Sequence, residues 1–275
     1  MANLDLSSNN LTGVIPSEIG YLSRLTTLYI YSNKLTDTIP TELGKLTSMA
    51  AVGLSSNNLT GSIATAIGHL SNLIFLSLWN NSLSGLIPTE IGNLASLTSL
   101  DLNSNNLHGS IPSAIGHLSS LIILSLWNNS LTGPIPNEIS KVTNMADLDL
   151  SFNLLTGTIP TEIGNLSSLT SLILWSNLLN GTIPTQFGHL QALQYLDLSF
   201  NKLTGWIPTQ LGRMSNIYNI YLNNNSLTGS VEGIFCPLHV FHIPSGQFFD
   251  LYADCGKVNC SCCTVCCPNA TVQWC

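Results

Sequence analysis

The sequence is poor in charge, and basic residues are especially rare. Only 8% of its 275 residues are charged, and seven lysines and arginines leave a net charge of −7, whereas soluble domains are roughly 25% charged. A chain so short of basic residues does not build the positive face that follows a phosphate backbone, which argues against a nucleic-acid partner. No apolar run approaches the roughly 20 residues that cross a bilayer, which argues against a membrane span within these residues.

Cysteine is missing from the first 235 residues and concentrated in the last 40. An even number in a short terminal segment predicts disulfide bonds and an oxidising compartment. A metal site is the alternative, because Cys260, Cys263 and Cys266 have ligand spacing and His239 and His242 stand nearby. We expect disulfides, and neither a metal nor another cofactor, at the eight positions Cys236, Cys255, Cys260, Cys262, Cys263, Cys266, Cys267 and Cys275.

What the sequence has in abundance is repetition. Ten asparagines recur at an unbroken interval of 24 residues. A fixed period in this range predicts a solenoid, in which one short coil is stacked on copies of itself and the copies share a core. The ladder consists of Asn9, Asn33, Asn57, Asn81, Asn105, Asn129, Asn153, Asn177, Asn201 and Asn225.

Each coil reads L-x-x-L-x-L-x-x-N-x-L-x-G-x-I-P-x-x-I-G-x-L-x-x, with the ladder asparagine in column 9. Leucines in columns 4 and 6 alternate with polar residues, which predicts a half-buried strand. We expect the column 9 amide to be buried and to bond to the backbone of its own turn and of the next coil. Column 13 is glycine in nine of the ten coils, with Asp37 the exception, which predicts a positive φ there.

The continuation L-x-G-x-I-P-x-x-I-G-x-L resembles the plant-specific class of leucine-rich repeat. That class is found in receptor-like kinase and receptor-like protein ectodomains and in secreted inhibitors of cell-wall polygalacturonases. The run from Cys260 to Cys267 is similar instead to the C-terminal caps of algal, diatom-type repeat proteins. The resemblance implies an α/β repeat solenoid of ten 24-residue coils over residues 1–235, with a parallel sheet on the concave face, and a disulfide-rich cap over residues 236–275. It implies no particular ligand.

Columns 3, 5, 7 and 8 flank the strand leucines and are expected to face solvent on the concave side; we call this surface the strand face. Coils spaced about 4.8 Å apart would repeat the column 7 tryptophans at roughly 10 Å. Aromatic anchors mixed with aspartate and asparagine are typical of binding surfaces. The predicted ligand-binding residues are Trp79, Trp127, Trp175, Asp101, Asp149, Asp197, Asn103, Phe152, Phe200 and Tyr195.

A protein or peptide ligand on the strand face is the first functional hypothesis. Carbohydrate or cell-wall binding is the second, since indoles two coils apart could stack on an extended sugar chain. A third interpretation needs no ligand: residues 69–116 and 117–164 look like copies of a 48-residue double unit, so duplication alone would explain Trp79 and Trp127.

A structural or ice-interacting surface is a further hypothesis. Column 12 is threonine or serine in eight of the ten coils, interrupted by His108 and Asn180. A flat threonine array could organise water, although Leu86, Pro134 and Trp206 in column 14 break its flatness.

Catalysis has little support in the sequence. Asp101, Asp149 and Asp197 could approach the carboxylate spacing of an inverting glycosidase, up to about 9.5 Å, but on a continuous strand face with no enclosing pocket. No glycine-rich phosphate loop, kinase signature or serine-nucleophile elbow occurs. We therefore expect a protein that is not an enzyme.

Nine N-x-S/T sequons favour a secreted or cell-surface glycoprotein, although a repeat rich in asparagine and serine also creates such triplets by chance. Glycans on Asn80 and Asn128 would lie beside Trp79 and Trp127 and could cover them. Because Met1 falls on the first column of a coil, we expect a fragment, with a signal peptide upstream and further segments at either end. The sequons are Asn10, Asn58, Asn80, Asn128, Asn165, Asn180, Asn224, Asn259 and Asn269.

Overall fold

The computed structural model describes residues 2–234, 250–254, 258–259 and 265–267. The chain divides into two compact units, residues 1–132 and 133–275. Both are built from the same coil, which consists of a short strand, a turn, a second short strand and one turn of 3₁₀ helix. The predicted repeat solenoid of the α/β type, with parallel strands, is confirmed, and the helical part of each coil is 3₁₀.

The strands that carry the strand face pair in parallel in the first unit. Residue i pairs with residue i+24, as in Leu4 with Leu28 and Leu76 with Leu100. Identical columns therefore lie side by side, as the repeat predicts. These strands span Asn3–Asp5, Thr27–Tyr29, Ala51–Gly53, Phe75–Ser77, Ser99–Asp101 and Ile123–Ser125.

The second unit continues the same register through its coils. Leu148 pairs with Leu172, and Leu196 pairs with Ile220. Its strands span Asp147–Asp149, Ser171–Ile173, Tyr195–Asp197, Asn219–Tyr221, Asp250–Asp254 and Val265–Cys267. The last two lie within the region predicted as a separate cap and pair in parallel like the coils before them. The predicted boundary at residue 235 lies at the edge of residues that the structure does not describe, and it stays a prediction.

A second set of strands follows the ladder asparagines, with one further member at Val258–Asn259. Within the coils these strands pair with a stagger, residue i with residue i+22, as in Gly13 with Leu35 and Gly205 with Leu227, and the last strand pairs Val258 with Gly229. They span Thr12–Val14, Lys34–Thr38, Asn58–Thr60, Ser84–Gly85, Asn106–Ser110 and Ser130–Gly133, then Leu154–Leu155, Asn180–Gly181, Lys202–Trp206, Ser226–Ser230 and Val258–Asn259.

Each 3₁₀ helix begins after the extended residue of column 16, usually proline. Pro40, for example, has φ −64° and ψ 135°, which suits the residue before a helix because its ring already holds φ. The helices span Ser17–Tyr21, Thr41–Lys45, Thr65–His69, Thr89–Asn93 and Ser113–His117, then Asn137–Lys141, Thr161–Asn165, Thr185–His189 and Thr209–Arg213.

The core of each unit is a stack of identical apolar columns. In the coil that begins at residue 145, for example, Leu148, Leu150, Leu155, Ile163 and Leu166 are fully buried. No single coil encloses these side chains, so burial depends on the neighbours above and below.

The ladder asparagines close the turn between the two strands. Asn57 Nδ2 donates to the carbonyl oxygens of Ile30, Leu54 and Ser55 at 3.0, 3.1 and 3.2 Å, and its Oδ1 accepts a hydrogen bond from the Leu35 N–H at 3.0 Å. The predicted buried, backbone-bonded amide is confirmed. The prediction of partners in the next coil was wrong: Ile30 and Leu35 belong to the preceding coil, because the side chain points back along the stack.

Two columns adopt the left-handed backbone conformation. Column 13 was predicted to do so, and its glycines have φ between 74° and 106°, with Asp37 at 67°. Column 8 was not predicted, yet all ten of its residues have φ between 51° and 55°: Ser8, Ser32, Ser56, Asn80, Ser104, Asn128, Phe152, Ser176, Phe200 and Asn224.

Candidate functional site

Three of the predicted binding residues form an aromatic ridge on the strand face of the second unit. The Trp175 ring stands edge-on between Phe152, at a centroid distance of 4.3 Å and an interplanar angle of 79°, and Phe200, at 6.4 Å and 67°. Edge-to-face contacts of this kind are attractive. Phe152 and Phe200 nevertheless remain 47% and 41% exposed. The cluster, which we call the Phe–Trp–Phe ridge, therefore offers apolar surface to solvent.

The two phenylalanines stand in a backbone conformation that is unfavourable for bulky residues. Column 8 has φ near 52° at both Phe152 and Phe200, and in that region the side chain crowds the following carbonyl group, at a cost of roughly 1–2 kcal/mol. The other eight column 8 residues are serine or asparagine; asparagine tolerates this conformation because of its short polar side chain. Bulky residues are rare in this conformation, and strained positions cluster at functional sites; here the turn imposes the same φ on all ten residues of column 8.

The aspartates of column 5 are bonded within their own coils. Ser199 donates its N–H and its hydroxyl to Asp197 Oδ1 at 2.9 and 2.6 Å, and Ser151 makes the same two bonds to Asp149 Oδ1. Burial raises the pKa of Asp197 to about 6 against the opposing effect of these bonds, with Asp149 adding to the rise. Burial also raises the pKa of Asp149.

A tyrosine stack lies beside these aspartates. The Tyr221 ring is 5.5 Å from the Tyr195 ring and 4.7 Å from the Tyr252 ring, nearly parallel to the latter at 27°. Burial raises the pKa of Tyr195 and of Tyr221. The sequence predicted only Tyr195. Tyr221 shares column 5 with the aspartates and so carried a signal, whereas Tyr252 lies outside the repeat.

In the first unit, Asp101, Asn103 and Trp127 form a bonded chain. With its amide oriented to satisfy both neighbours, Asn103 donates to Asp101 Oδ1 at 2.6 Å and accepts a hydrogen bond from Trp127 Nε1 at 2.7 Å. The structure thus brings together three of the predicted residues. Trp127, whose indole N–H makes this bond, is half-buried.

Trp79 lies in an aromatic bay that the sequence did not predict. Its volume is about 410 Å³. Three small buried residues, Gly53, Ser55 and Ser77, form the floor, and the walls are Tyr29, Tyr31, Phe75 and Trp79. Column 3 and column 7 aromatics were visible in the sequence, but a depression between them depends on which neighbouring columns happen to be small.

The prediction of three exposed indoles therefore needs a correction. Trp79 is 37% exposed, whereas Trp127 and Trp175 are half-buried. The physical reason is that residues of neighbouring coils, Asn103 for Trp127 and the two phenylalanines for Trp175, cover part of each ring. None of the three indoles belongs to the leucine core.

The predicted modification sites are only partly described. Six of the predicted sequon asparagines are exposed: Asn10, Asn58, Asn80, Asn128, Asn165 and Asn180. Asn224 is half-buried, and its backbone N–H donates to Asp254 Oδ1 at 2.9 Å. The side chain of Asn259, Asn269 and the side chains of all eight predicted disulfide cysteines lie outside the described residues, so these assignments stay predictions.

Within the described part of the chain, no three histidine, cysteine or acidic residues are grouped so as to hold a metal ion. Among those same residues, no helix is both long enough and apolar enough to cross a bilayer.

The threonines of column 12 lie on the second set of strands. Thr36 Oγ1 donates to the Gly13 carbonyl at 3.2 Å, and Thr204 Oγ1 donates to the Gly181 carbonyl at 3.3 Å. Thr228 Oγ1 donates to the Gly205 carbonyl at 3.3 Å in the same way. Trp206, 76% exposed, projects from the same surface.

Comparison with known families shows which family the repeat belongs to. A model described as a leucine-rich repeat region matches residues 54–178, and a model described as leucine rich repeat matches residues 1–59 and 167–227. The chain belongs to the leucine-rich-repeat family. Members of this family share a scaffold rather than a ligand. A comparison with curated proteins gave no significant match.

The solved structures similar to this chain include plant receptors and, as a second group, an ice-binding protein. The plant peptide hormone receptor RGFR1, in complex with RGF2, is 35% identical, with a TM-score of 0.80 over 92% of this chain and 42% of the receptor. The Arabidopsis receptor kinase HAESA, in complex with the peptide hormone IDA and the co-receptor SERK1, is 32% identical, with a TM-score of 0.71 over 92% of this chain and 46% of that chain. This leucine-rich-repeat chain thus spans less than half the length of either receptor chain.

The other group is represented by a plant ice-binding protein. It is 27% identical, with a TM-score of 0.72 over 98% of this leucine-rich-repeat chain and 84% of that chain. The similarity therefore extends over most of both proteins.

Proposed function

We propose that this chain is an extracellular or cell-surface recognition module that binds a peptide or protein segment on its strand face. The observation that carries the proposal is the Phe–Trp–Phe ridge. Phe152 and Phe200 stand in a left-handed conformation that disfavours them and remain largely exposed. Folding alone gains little from this arrangement, whereas a partner that covers the ridge would gain apolar contact.

Two further features support a peptide ligand. Columns 3, 5, 7 and 8 of the ten coils contain no lysine, arginine or histidine, so the strand face has one sign of charge. Two similar structures, RGFR1 and HAESA, are complexes with peptide hormones. They give no support to the polysaccharide alternative. The sequons and the cysteine-rich terminus favour an extracellular location.

The test is capture of peptides from a displayed random library, followed by binding of the selected peptides to two variants. Phe152→Asn with Phe200→Asn introduces a residue that column 8 already uses, and it should weaken binding at least about tenfold. Replacement of Trp79, Trp127 and Trp175 together by alanine should also abolish capture. Thermal unfolding of each variant checks the fold, and unchanged affinity in both would refute the assignment of this face.

Ice binding is the second candidate function, and the extent of the match favours it. The plant ice-binding protein is similar over 84% of its own length, about twice the share covered for RGFR1. Thr156 and Thr158 are exposed just after the strand Leu154–Leu155. If this surface orders ice, changing both to tyrosine should abolish inhibition of ice recrystallisation, and the column 8 double variant should leave it intact. Equal activity of the threonine variant and the unmodified protein would exclude this surface.

A further inference from the structure

The floor of the aromatic bay in the first unit includes Gly53, which has no side chain. Gly53 stands in column 5, paired with Tyr29 on one side and Ser77 on the other. A Cβ atom on Gly53 would lie 2.9 Å from Tyr29 Cδ1. Gly53 is not among the glycines with positive φ, so its backbone conformation does not require glycine. The Tyr29 ring therefore lies over the floor at Gly53, and a side chain at this position would push that wall of the bay out of place.

Four aromatic rings surround this floor. The Tyr29 and Tyr31 rings meet edge-on at a centroid distance of 6.0 Å and an angle of 60°. Phe75 and Trp79 complete the walls. Tyr31 and Trp79 are each 37% exposed, so the bay is open to solvent. Its volume of about 410 Å³ lies within the range of small-ligand sites and is enough for one long side chain.

The charges around the bay have one sign. In column 5 the strand register places Asp5 next to Tyr29 and Asp101 next to Ser77. A carboxylate therefore stands beyond each end of the bay in the same column. Hydrogen bonds from the Ser7 hydroxyl and N–H hold the pKa of Asp5 below its usual value, so this group is charged at neutral pH. No lysine, arginine or histidine occupies columns 3, 5, 7 or 8 in residues 2–132.

We propose that the aromatic bay receives a cationic side chain, preferably arginine, from a peptide partner. Ring faces attract cations through their quadrupole, and the flanking carboxylates attract the same charge over a longer range. Arginine suits the bay better than lysine, because its planar guanidinium group stacks on aromatic rings and is less strongly hydrated. A neutral aromatic guest would use the rings but not the carboxylates. The inference deepens the proposed function and rests on it.

The first experiment uses three pentapeptides, Ac-Gly-Gly-X-Gly-Gly-NH₂, with X as arginine, citrulline or phenylalanine. Binding is followed through the Trp79 indole N–H resonance, assigned with Trp79→Phe. The arginine peptide should bind about tenfold more tightly than its neutral isostere citrulline. Its affinity should fall several-fold at about 0.5 M salt, where screening is strong. Equal binding of citrulline or tighter binding of phenylalanine would overturn the proposal.

The second experiment fills the bay. Gly53→Ile introduces the residue that column 5 carries at position 173 and should abolish binding of the arginine peptide. Gly53→Ser, which matches column 5 at positions 77 and 125, is the milder variant and should weaken binding several-fold even if the isoleucine variant fails to fold. Asp101→Asn should weaken binding less than either. An arginine affinity that is unchanged in Gly53→Ser would refute the site.

The Phe152→Asn, Phe200→Asn double variant separates this inference from the proposed function. It should leave binding of the arginine pentapeptide unchanged, because its changes lie in the second unit. One outcome separates the two: the Phe152→Asn, Phe200→Asn variant loses affinity for the library-selected peptides, while Gly53→Ser binds the arginine pentapeptide as tightly as the unmodified protein. In that case the bay is not a cation site and the proposed function stands. If the affinity of the selected peptides is unchanged in both the column 8 double variant and Gly53→Ser, the proposed function fails as well.

Discussion

The two units of this chain build different surfaces from one backbone. In the first unit, Gly53 has no side chain in column 5, the Tyr29 ring packs against it, and a depression lies between the aromatic walls. In the second, Phe152 and Phe200 add bulk to column 8 and create a ridge around Trp175. The underlying strands and ladder are the same. A solenoid therefore separates its two tasks: inward columns hold the coil, and outward columns are free to vary in shape.

The largest effect on stability is expected when a buried ladder asparagine is replaced, and the loss should be similar in the two units. Asn57→Ala and Asn201→Ala each remove four hydrogen bonds and leave buried backbone groups unsatisfied. Each should lower the free energy of unfolding by at least about 3 kcal/mol in urea denaturation. Asn9 is exposed and makes two bonds to its own turn, so Asn9→Ala should cost less than about 1 kcal/mol. Equal losses at Asn9 and Asn57 would contradict the role of the ladder.

The contributions of two aspartates to stability, Asp197 in the second unit and Asp5 in the first, should depend on pH in opposite directions. The pKa of Asp197 is raised to about 6 by burial, so the folded state holds this proton more tightly than the unfolded state. Its stabilising contribution is complete below about pH 4 and is lost as pH rises through about 6, a change of about 2–3 kcal/mol.

Asp197→Asn should remove this pH dependence, so that the difference in unfolding free energy between variant and unmodified protein grows between about pH 4 and 6. The comparison is Asp5→Asn in the first unit. The pKa of Asp5 is lowered by its bonds to Ser7, so its contribution is present at neutral pH and is lost in acid. A difference that stays flat for Asp197→Asn across this range would show that the carboxylate is not desolvated.

The ridge should cost stability rather than supply it. Phe152→Asn relieves a left-handed phenylalanine, worth roughly 1–2 kcal/mol, and loses an edge contact with Trp175, worth roughly 0.5–1.5 kcal/mol. The net change in unfolding free energy should lie between a loss of about 0.5 kcal/mol and a gain of about 1.5 kcal/mol. The contrast is Phe187→Ala, at a fully buried phenylalanine, which should lose about 3–5 kcal/mol. A loss above about 1 kcal/mol for Phe152→Asn would make the ridge a packing feature.

The smallest effect on stability is expected when aspartate and glycine are exchanged in column 13. Asp37→Gly should change stability by less than about 1 kcal/mol, because glycine adopts its φ of 67° freely but loses the Asp37 Oδ1 bond to the Thr38 N–H. Gly157→Asp, at a φ of 78° in the second unit, should cost about 1 kcal/mol. Replacing Asp37 with valine should be far more harmful than either. Equal melting temperatures for all three would show that this turn does not select its residue.

Most of the fold could be predicted from the sequence, and much less of the site. The buried amide of column 9 and the positive φ of column 13 were predicted correctly, since a buried amide and a recurring glycine each have few structural uses, but the coil that supplies the partners of column 9 was not. Column 8 was missed because serine and asparagine are common in turns of every kind. The bay at Gly53 and the stack of Tyr221 on Tyr252 were also missed, because each depends on contacts between coils.

The sequence by itself determined the repeat, the coil stacked in register and the inward columns, because a 24-residue period with apolar columns has one way to bury them. Only the tertiary structure decided which outward side chains cover one another. That outcome depends on the size of the neighbour one coil away: Asn103 and the two phenylalanines half-bury Trp127 and Trp175, while Gly53 leaves Trp79 beside an open bay. The sequence pattern identifies which residues share a column, but the shape of the surface depends on how side chains of neighbouring coils and columns pack against one another.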